Sequence, residues 1–331
     1  MNKKILIIVM LLAATAARAF DFRAQAPTGQ WLYFTIIAGT SNVKVVNPDW
    51  DEKTPPSGAL QIPSTATDNE GTTYNVTEID ARAFMTCDGL TSVVVPESVK
   101  SIGQLAFAFC TSLASIELPD GMTQIGLGAF SDCAFYTNPE NWSEDGILYL
   151  NHYVIRAQPS FTGTLTVAEG TLGTANGAFE NCNQVERIVL PSTLTMIGGT
   201  AFQNCLSMDT LEMRSVNPPT LGTNAFQSLE VFTILVPCHT SSAYSSASGW
   251  SGHDIVEHCE SVEGIVTAES TFVNVTPVEG GIVIDGKEGS LFFVSDIMGR
   301  RVAESRGGYV ALPTHGIYVV EAEGKAIKIV Y

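Results

Sequence analysis

Positive charge is scarce in this chain. Lys and Arg number 17 against 34 Asp and Glu, a formal net charge of −17. Phosphate backbones are held by clustered Lys and Arg, so nucleic acid is excluded as a partner class. Charge of either sign is low, at 15% of residues against 45% hydrophobic, a balance suited to β-rich coils that turn often. Long apolar runs are missing too: none reaches the roughly 18 residues of a membrane helix, so no transmembrane segment is expected. Also missing are Gly-x-Ser-x-Gly, His-Glu-x-x-His and P-loop patterns, which removes the usual signatures of esterase, zinc-protease and nucleotide chemistry. Gly126-Leu-Gly128 lacks the third glycine of a dinucleotide loop. The chain reads as a non-enzyme with no cofactor.

What is present begins with Met1–Ala19. Lys3 and Lys4 precede the apolar Ile5–Leu12, and Ala17-Arg18-Ala19 has the form of a cleavage site. This is a signal peptide, and the exported chain is expected to start at Phe20. No cysteine follows the apolar run closely enough to accept a lipid anchor. Phe20–Gly58 is too irregular to be a repeat and reads as an N-terminal cap, carrying Trp31 and Trp50. A capping segment shields the first coil of a stack; carbohydrate stacking by the two tryptophans is the alternative.

The phrase Ile-x-x-x-Ala-Phe-x-x-Cys then recurs at Phe84, Phe107 and Phe130, 23 residues apart, and the Ala-Phe pair returns at Phe179, Phe202 and Phe226. Between copies runs Leu90-x-x-Val93-x-Val95-Pro96, then Leu113-x-x-Ile116-x-Leu118-Pro119. A fixed period with this rhythm predicts a solenoid over 59–259, mainly β with short helical turns, each unit burying its apolar face on the next. The phenylalanines form one core column. Cys87, Cys110, Cys133, Cys182 and Cys205 form another, because evenly spaced thiols have no unique partner and pack as small hydrophobes. Residues 134–178 break the period and hold an insertion, with a hairpin around Asn151-His152. Insertions map to loops on one face, often the binding face. Residues 260–331 change to short strands between Gly- and Pro-containing turns, which predicts a small β-sandwich.

Strand alternation sets the two non-apolar slots of each strand phrase on the outer face: Ser92 and Val94, Ser115 and Glu117, Arg187 and Val189, Thr210 and Glu212. These are the candidate binding residues for extended protein contacts; a merely solvated face is the other reading. Cys238-His239 and His258-Cys259 bracket the closing segment. A Cys238–Cys259 disulfide, free thiols and a zinc site all remain open, with no metal expected because the Cys and His are sequence neighbours instead of spaced ligands. Trp142, Glu144, Asp145 and His152 are grouped in the insertion as an alternative carbohydrate-active site. The two carboxylates are adjacent in sequence, a poor arrangement for flanking a glycosidic bond.

The repeat phrase as a whole resembles the BspA-like, treponemal-type leucine-rich repeat proteins of bacterial surfaces. Asn217-Pro-Pro-Thr-Leu221 and Gly249-Trp250 look like that family's closing coil. The resemblance implies a secreted or surface-bound protein that adheres to extracellular proteins of a host matrix or partner cell. The tail is similar to the C-terminal sorting domain of type IX secretion substrates in Bacteroidetes, through Asp296-Ile-Met-Gly299-Arg-Arg-Val302, Leu312-Pro-Thr-His-Gly316 and Gly324-Lys325. Thr276-Pro277-Val278-Glu279 stands where that family opens on Pro-Asn-Pro. A plain structural stalk without a ligand is the rival expectation for the molecule. N-terminal sequencing of the exported chain is expected to read Phe20-Asp21-Phe22; a start at Met1 would remove the signal-peptide reading.

Overall fold

In the computed structural model the described residues are 20–50, 53–229, 231–259, 273–278, 281–286, 290–296, 300–312, 317–322 and 325–330. Met1–Ala19, read above as the signal peptide, and parts of the tail motifs, Ile297–Gly299 and Pro313–Gly316 among them, lie outside this set. The chain divides into two compact units at Cys259.

The first unit is a mainly β solenoid of parallel coils. The strand phrases form its broad side: Gly58–Gln61, Leu90–Val94 and Ser115–Glu117 in one sheet, Gly163–Thr166, Val185–Leu190, Thr210–Met213, Thr233–Pro237 and Asp254–His258 in another. Short strands such as Ser101–Ile102, Gln124–Ile125 and Met196–Ile197 line the opposite side. Registers follow the repeat: Ser92 pairs with Ser115, Arg187 with Thr210 and Ser101 with Gln124. A slip of one residue would turn every buried side chain outward, so the apolar pattern holds each coil in place.

The Ala-Phe-x-x-Cys segment makes the corner of each coil. Its phenylalanines stack flat: Phe84 on Phe107 and Phe107 on Phe130 at 4.9 and 5.8 Å, 10° and 14° from parallel. Phe179, Phe202 and Phe226 form a second pile at 5.3 and 5.6 Å. Residues two before and two after each Phe lie at positive φ, from Arg82 (57°) and Thr86 (62°) to Asn224 (57°) and Ser228 (69°). This left-handed pair lets a short segment turn twice, though it is strained for side chains such as Leu105 (56°) and Phe109 (63°). A glycine four residues before the Phe permits the closest approach between coils. A Cβ on Gly126 would sit 2.3 Å from the Gln104 nitrogen, and one on Gly198 2.3 Å from the Ala175 oxygen.

The cysteine column does more than fill space. The Cys110, Cys133 and Cys205 thiols each donate to the Phe carbonyl of the preceding coil, at 3.1 Å. All five column cysteines are buried and free. Burial pushes the Cys182 thiol up to about 11 and the Cys205 thiol up to about 12, so neither offers a thiolate for oxidation or metal binding.

The N-terminal segment closes one end. The buried Trp50 indole donates to the Ala83 carbonyl (2.8 Å), taking the place of a preceding coil. The Gln30 amide bonds the Ser57 and Ala59 carbonyls along the free edge of Gly58–Gln61, at 2.9 and 2.8 Å, which blocks further strand pairing there. Trp31 is exposed, with the Arg23 guanidinium 4.4 Å from its ring centroid. At the other end Tyr244 and Trp250 are wholly buried and donate to the Ser215 and Pro219 carbonyls, at 2.7 and 2.9 Å.

The insertion departs from the surface loop expected of it. Ile147–Leu150 and Tyr153–Ala157 form the anticipated hairpin, but it runs through the interior as a wall. Leu148, Tyr153 and Ile155 pack with the first Phe pile, and Ile147, Val154 and Ala157 with the second. Adjacent apolar residues, not alternating ones, are what a strand buried on both faces requires. The second unit is a β-sandwich: a three-stranded and a four-stranded antiparallel sheet around Ile282, Ile284, Phe292, Val294, Val310, Tyr318 and Val320.

Gly126→Ala is expected to lower the unfolding free energy by about 2 kcal/mol or more, read as an earlier urea midpoint. Gly39→Asn, at φ +78° in open space, is expected to stay within about 0.5 kcal/mol.

Candidate interaction surface

The outward slots of the strand phrases occupy two surfaces, not one. Ser92, Val94, Ser115 and Glu117 lie on the Gly58–Gln61, Leu90–Val94, Ser115–Glu117 sheet; Arg187, Val189, Thr210 and Glu212 lie on the other. The hairpin separates them. Leu118 N–H, which would bond the next strand in a regular coil, instead bonds the Asn151 side chain at 2.9 Å. Tyr153 Oη donates to the Pro119 carbonyl and accepts from Met122 N–H, at 3.0 and 3.2 Å.

The two surfaces differ in character. The first is open: Val94 is 38% exposed, and Ser115 and Glu117 are exposed. The second is bound up in its own charges. Glu212 takes Arg187 on one side and Arg214 on the other (3.4 Å), and Arg214 reaches on to Glu169 at 3.8 Å. Val189, expected at the surface, is only 4% exposed. It lies between Thr166 and Glu212 in register. Partial burial alone would raise the Glu212 pKa, but the hydrogen bonds and charges of Arg187 and Arg214 outweigh it and hold the carboxyl below its ordinary value of 4.5.

The grouped residues of the insertion do not converge. His152 Nδ1 pairs with Asp120 at 2.6 Å, and the Trp142 indole donates to the Tyr136 carbonyl at 3.0 Å. Glu144 and Asp145 are exposed. At the closing segment, Cys238 and Cys259 are disulfide-bonded. Cys238, His239 and Glu257 approach one another closely. With the sulfur in a disulfide and the Glu257 carboxylate accepting from Ser241 N–H at 2.9 Å, they are not a ready zinc set.

Sequence reading missed the glycine column, the paired left-handed corners and the thiol hydrogen bonds. Gly103, Gly126, Gly198 and Gly222 recur four residues before a Phe and were the available signal. The thiol bonds had none, since residue type does not say which way a sulfur points.

Stacked parallel coils that repeat a Phe at the corner, a buried thiol in five of the six and a close-packed glycine in four of them define a leucine-rich repeat solenoid. The BspA type leucine rich repeat region matches in six copies over residues 73–144 and 164–263, more than half of the chain. The chain therefore belongs to the BspA-type leucine-rich repeat family, and the unmatched interval coincides with the interior hairpin. It is similar to the Treponema pallidum leucine-rich repeat protein (20% identity, 68% of this chain and 95% of that one, TM-score 0.33). It also resembles a leucine-rich repeat protein of Bacteroides capillosus (22%, 59% and 99%, TM-score 0.28). A third likeness is to a leucine-rich cell surface protein of Faecalibacterium prausnitzii (22%, 60% and 56%, TM-score 0.33). Scores this low add nothing to the assignment. No curated protein matches the sequence. Among the described residues no helix is long and apolar enough to cross a membrane.

A carboxyl held below its ordinary pKa stabilises the fold at neutral pH, and that contribution fades as pH falls below about 4.5 through the lowered value. Glu212→Gln is expected to cost about 1 kcal/mol or less at pH 7 and less again at pH 3, compared by urea unfolding. An equal loss at both pH values would place the effect in packing instead.

Proposed function

We propose that this protein is exported to the cell surface and binds extracellular proteins of a host matrix or partner cell through the broad strand side of its solenoid. The observation that carries the reading is the open first surface, where Ser92, Val94, Ser115 and Glu117 offer an exposed valine beside small polar and acidic groups. Parallel coils hold these side chains at fixed spacing, so a partner meets a surface already ordered before contact. The second surface, with Arg187, Thr210 and Glu212, is the more rigid of the two, because its charges answer one another.

Membership of the BspA-type family supports a surface role. The signal-like Met1–Ala19 supports export, and the sorting-like tail supports attachment by a type IX route. The rival is a stalk with no specific ligand. Its outward residues would serve only solubility, as the formal charge of −17 does.

Pull-down from matrix and partner-cell extracts with the chain from Phe20 onward is expected to recover a defined protein. Glu117→Lys with Glu212→Lys is expected to reduce recovery about tenfold or more, since a reversed charge at the contact costs a kcal/mol or two. Circular dichroism checks that the variant keeps its fold. Recovery of nothing specific favours the stalk, and unchanged recovery moves the contact off the strand side. Cell fractionation with and without Glu260–Tyr331 tests the tail: surface association independent of it would end the sorting reading.

A further inference from the structure

Regular coils pass their corners to the next through alternate backbone donors. Leu105, Phe107 and Phe109 N–H groups bond the Leu127, Ala129 and Ser131 carbonyls at 3.1, 2.7 and 2.8 Å. Arg82, Phe84 and Thr86 do the same one coil earlier, and Gly177, Phe179 and Asn181 do so later. Within the stack the third coil breaks the rule. The N–H groups of Gly128, Phe130 and Asp132 find no acceptor among the described residues. They are not displaced: Gly128 and Asp132 keep the corner geometry, at φ 63° and 59°.

In the facing coil two of the corresponding carbonyls receive donors from the hairpin instead, Ala178 from Ala157 N–H at 2.6 Å and Glu180 from Arg156 Nη2 at 3.0 Å. Arg156 Nη1 also holds the Gly177 carbonyl at 2.7 Å. The hairpin thus supplies donors to one side of the junction and no acceptors to the other. A cavity of about 340 Å³ opens here, lined by Phe130, Ser131, Tyr136, Arg156, Asn176 and Glu180.

We propose that this notch is a second binding site, which receives one extended peptide segment of a partner protein with a basic side chain. Three donors on alternate residues of one chain match the carbonyls of an extended strand at every second position. Main-chain pairing of this kind recognises a peptide by strand addition. The basic side chain follows from the rim. Arg156 is engaged with Glu180 (3.3 Å), whereas Asp132 is exposed beside the last donor and makes no ion pair among the described residues. The site goes beyond the strand-side surface and does not depend on it.

Amide exchange followed by NMR on the full exported chain tests the site, with acetyl-Lys-Val-Lys-Val-Lys-amide as the probe. In the free protein the Gly128, Phe130 and Asp132 amides are expected to exchange at least about tenfold faster than those of Leu105, Phe107 and Phe109. The probe is expected to slow those three selectively and leave the last coil's corner, Asn224–Ser228, unchanged. Ser131→Trp, which fills the notch, is expected to abolish the protection while the Leu105–Phe109 amides stay slow. Replacing the lysines of the probe by serine is expected to weaken protection. Equal exchange of the two amide sets in the free protein would overturn the proposal. So would protection that falls equally on Asn224–Ser228, or that survives Ser131→Trp. Equal binding of the serine probe would overturn the basic partner. None of these outcomes bears on the Glu117 and Glu212 variants, so the two sites fail separately.

Discussion

Each coil's backbone must meet the next coil's backbone at hydrogen-bonding distance along the whole turn, corners included. Backbone groups buried without partners are costly, and a parallel solenoid has little slack with which to avoid that cost. The column residues answer this one demand. Glycine four before the Phe removes the Cβ that would push coils apart, the left-handed pair aims alternate N–H groups at the next coil, and the flat Phe ring fills the space between. The thiol serves the same end, donating to a carbonyl that the corner turn exposes. Cysteine is small enough to be wholly buried there and still offers a weak donor.

The interior hairpin shows what happens when a coil of standard length is missing. Side chains take over the missing backbone: Asn151 accepts from Leu118, the Arg156 guanidinium donates to Gly177 and Glu180, and Tyr153 ties Pro119 to Met122. Two piles of phenylalanine form in place of one, on either side of a wall that is apolar on both faces. The repair is incomplete at the third coil's corner. A defect in a ladder is also a place where another chain can join it, because the unmet donors keep the spacing of the lattice they belong to.

The strand-side surface follows a different logic. Its backbone is satisfied, and what it offers is side chains at fixed spacing. One half leaves them open around Val94 and Glu117, while the other ties Glu169, Arg187, Glu212 and Arg214 into a network. A surface whose charges pair with one another resists re-pairing with a partner, since the exchange returns little Coulomb energy for the desolvation it requires. The open half is therefore the more favourable place for contact.

The repeat order, the stacking of each Phe on the next and the outward direction of Ser115 and Glu117 were legible in the linear chain, but as one continuous Phe column, which the hairpin splits into two piles. Periodicity alone determines which residues share a face. A Cys238–Cys259 disulfide was legible only as one of three options; in the fold both cysteines are disulfide-bonded. The burial of Val189, the inward course of the hairpin and the open donors of Gly128, Phe130 and Asp132 belong to tertiary structure. Each depends on what a neighbouring coil presents across a few ångströms, and a one-dimensional pattern records the repeat of a residue but not the identity of what it faces.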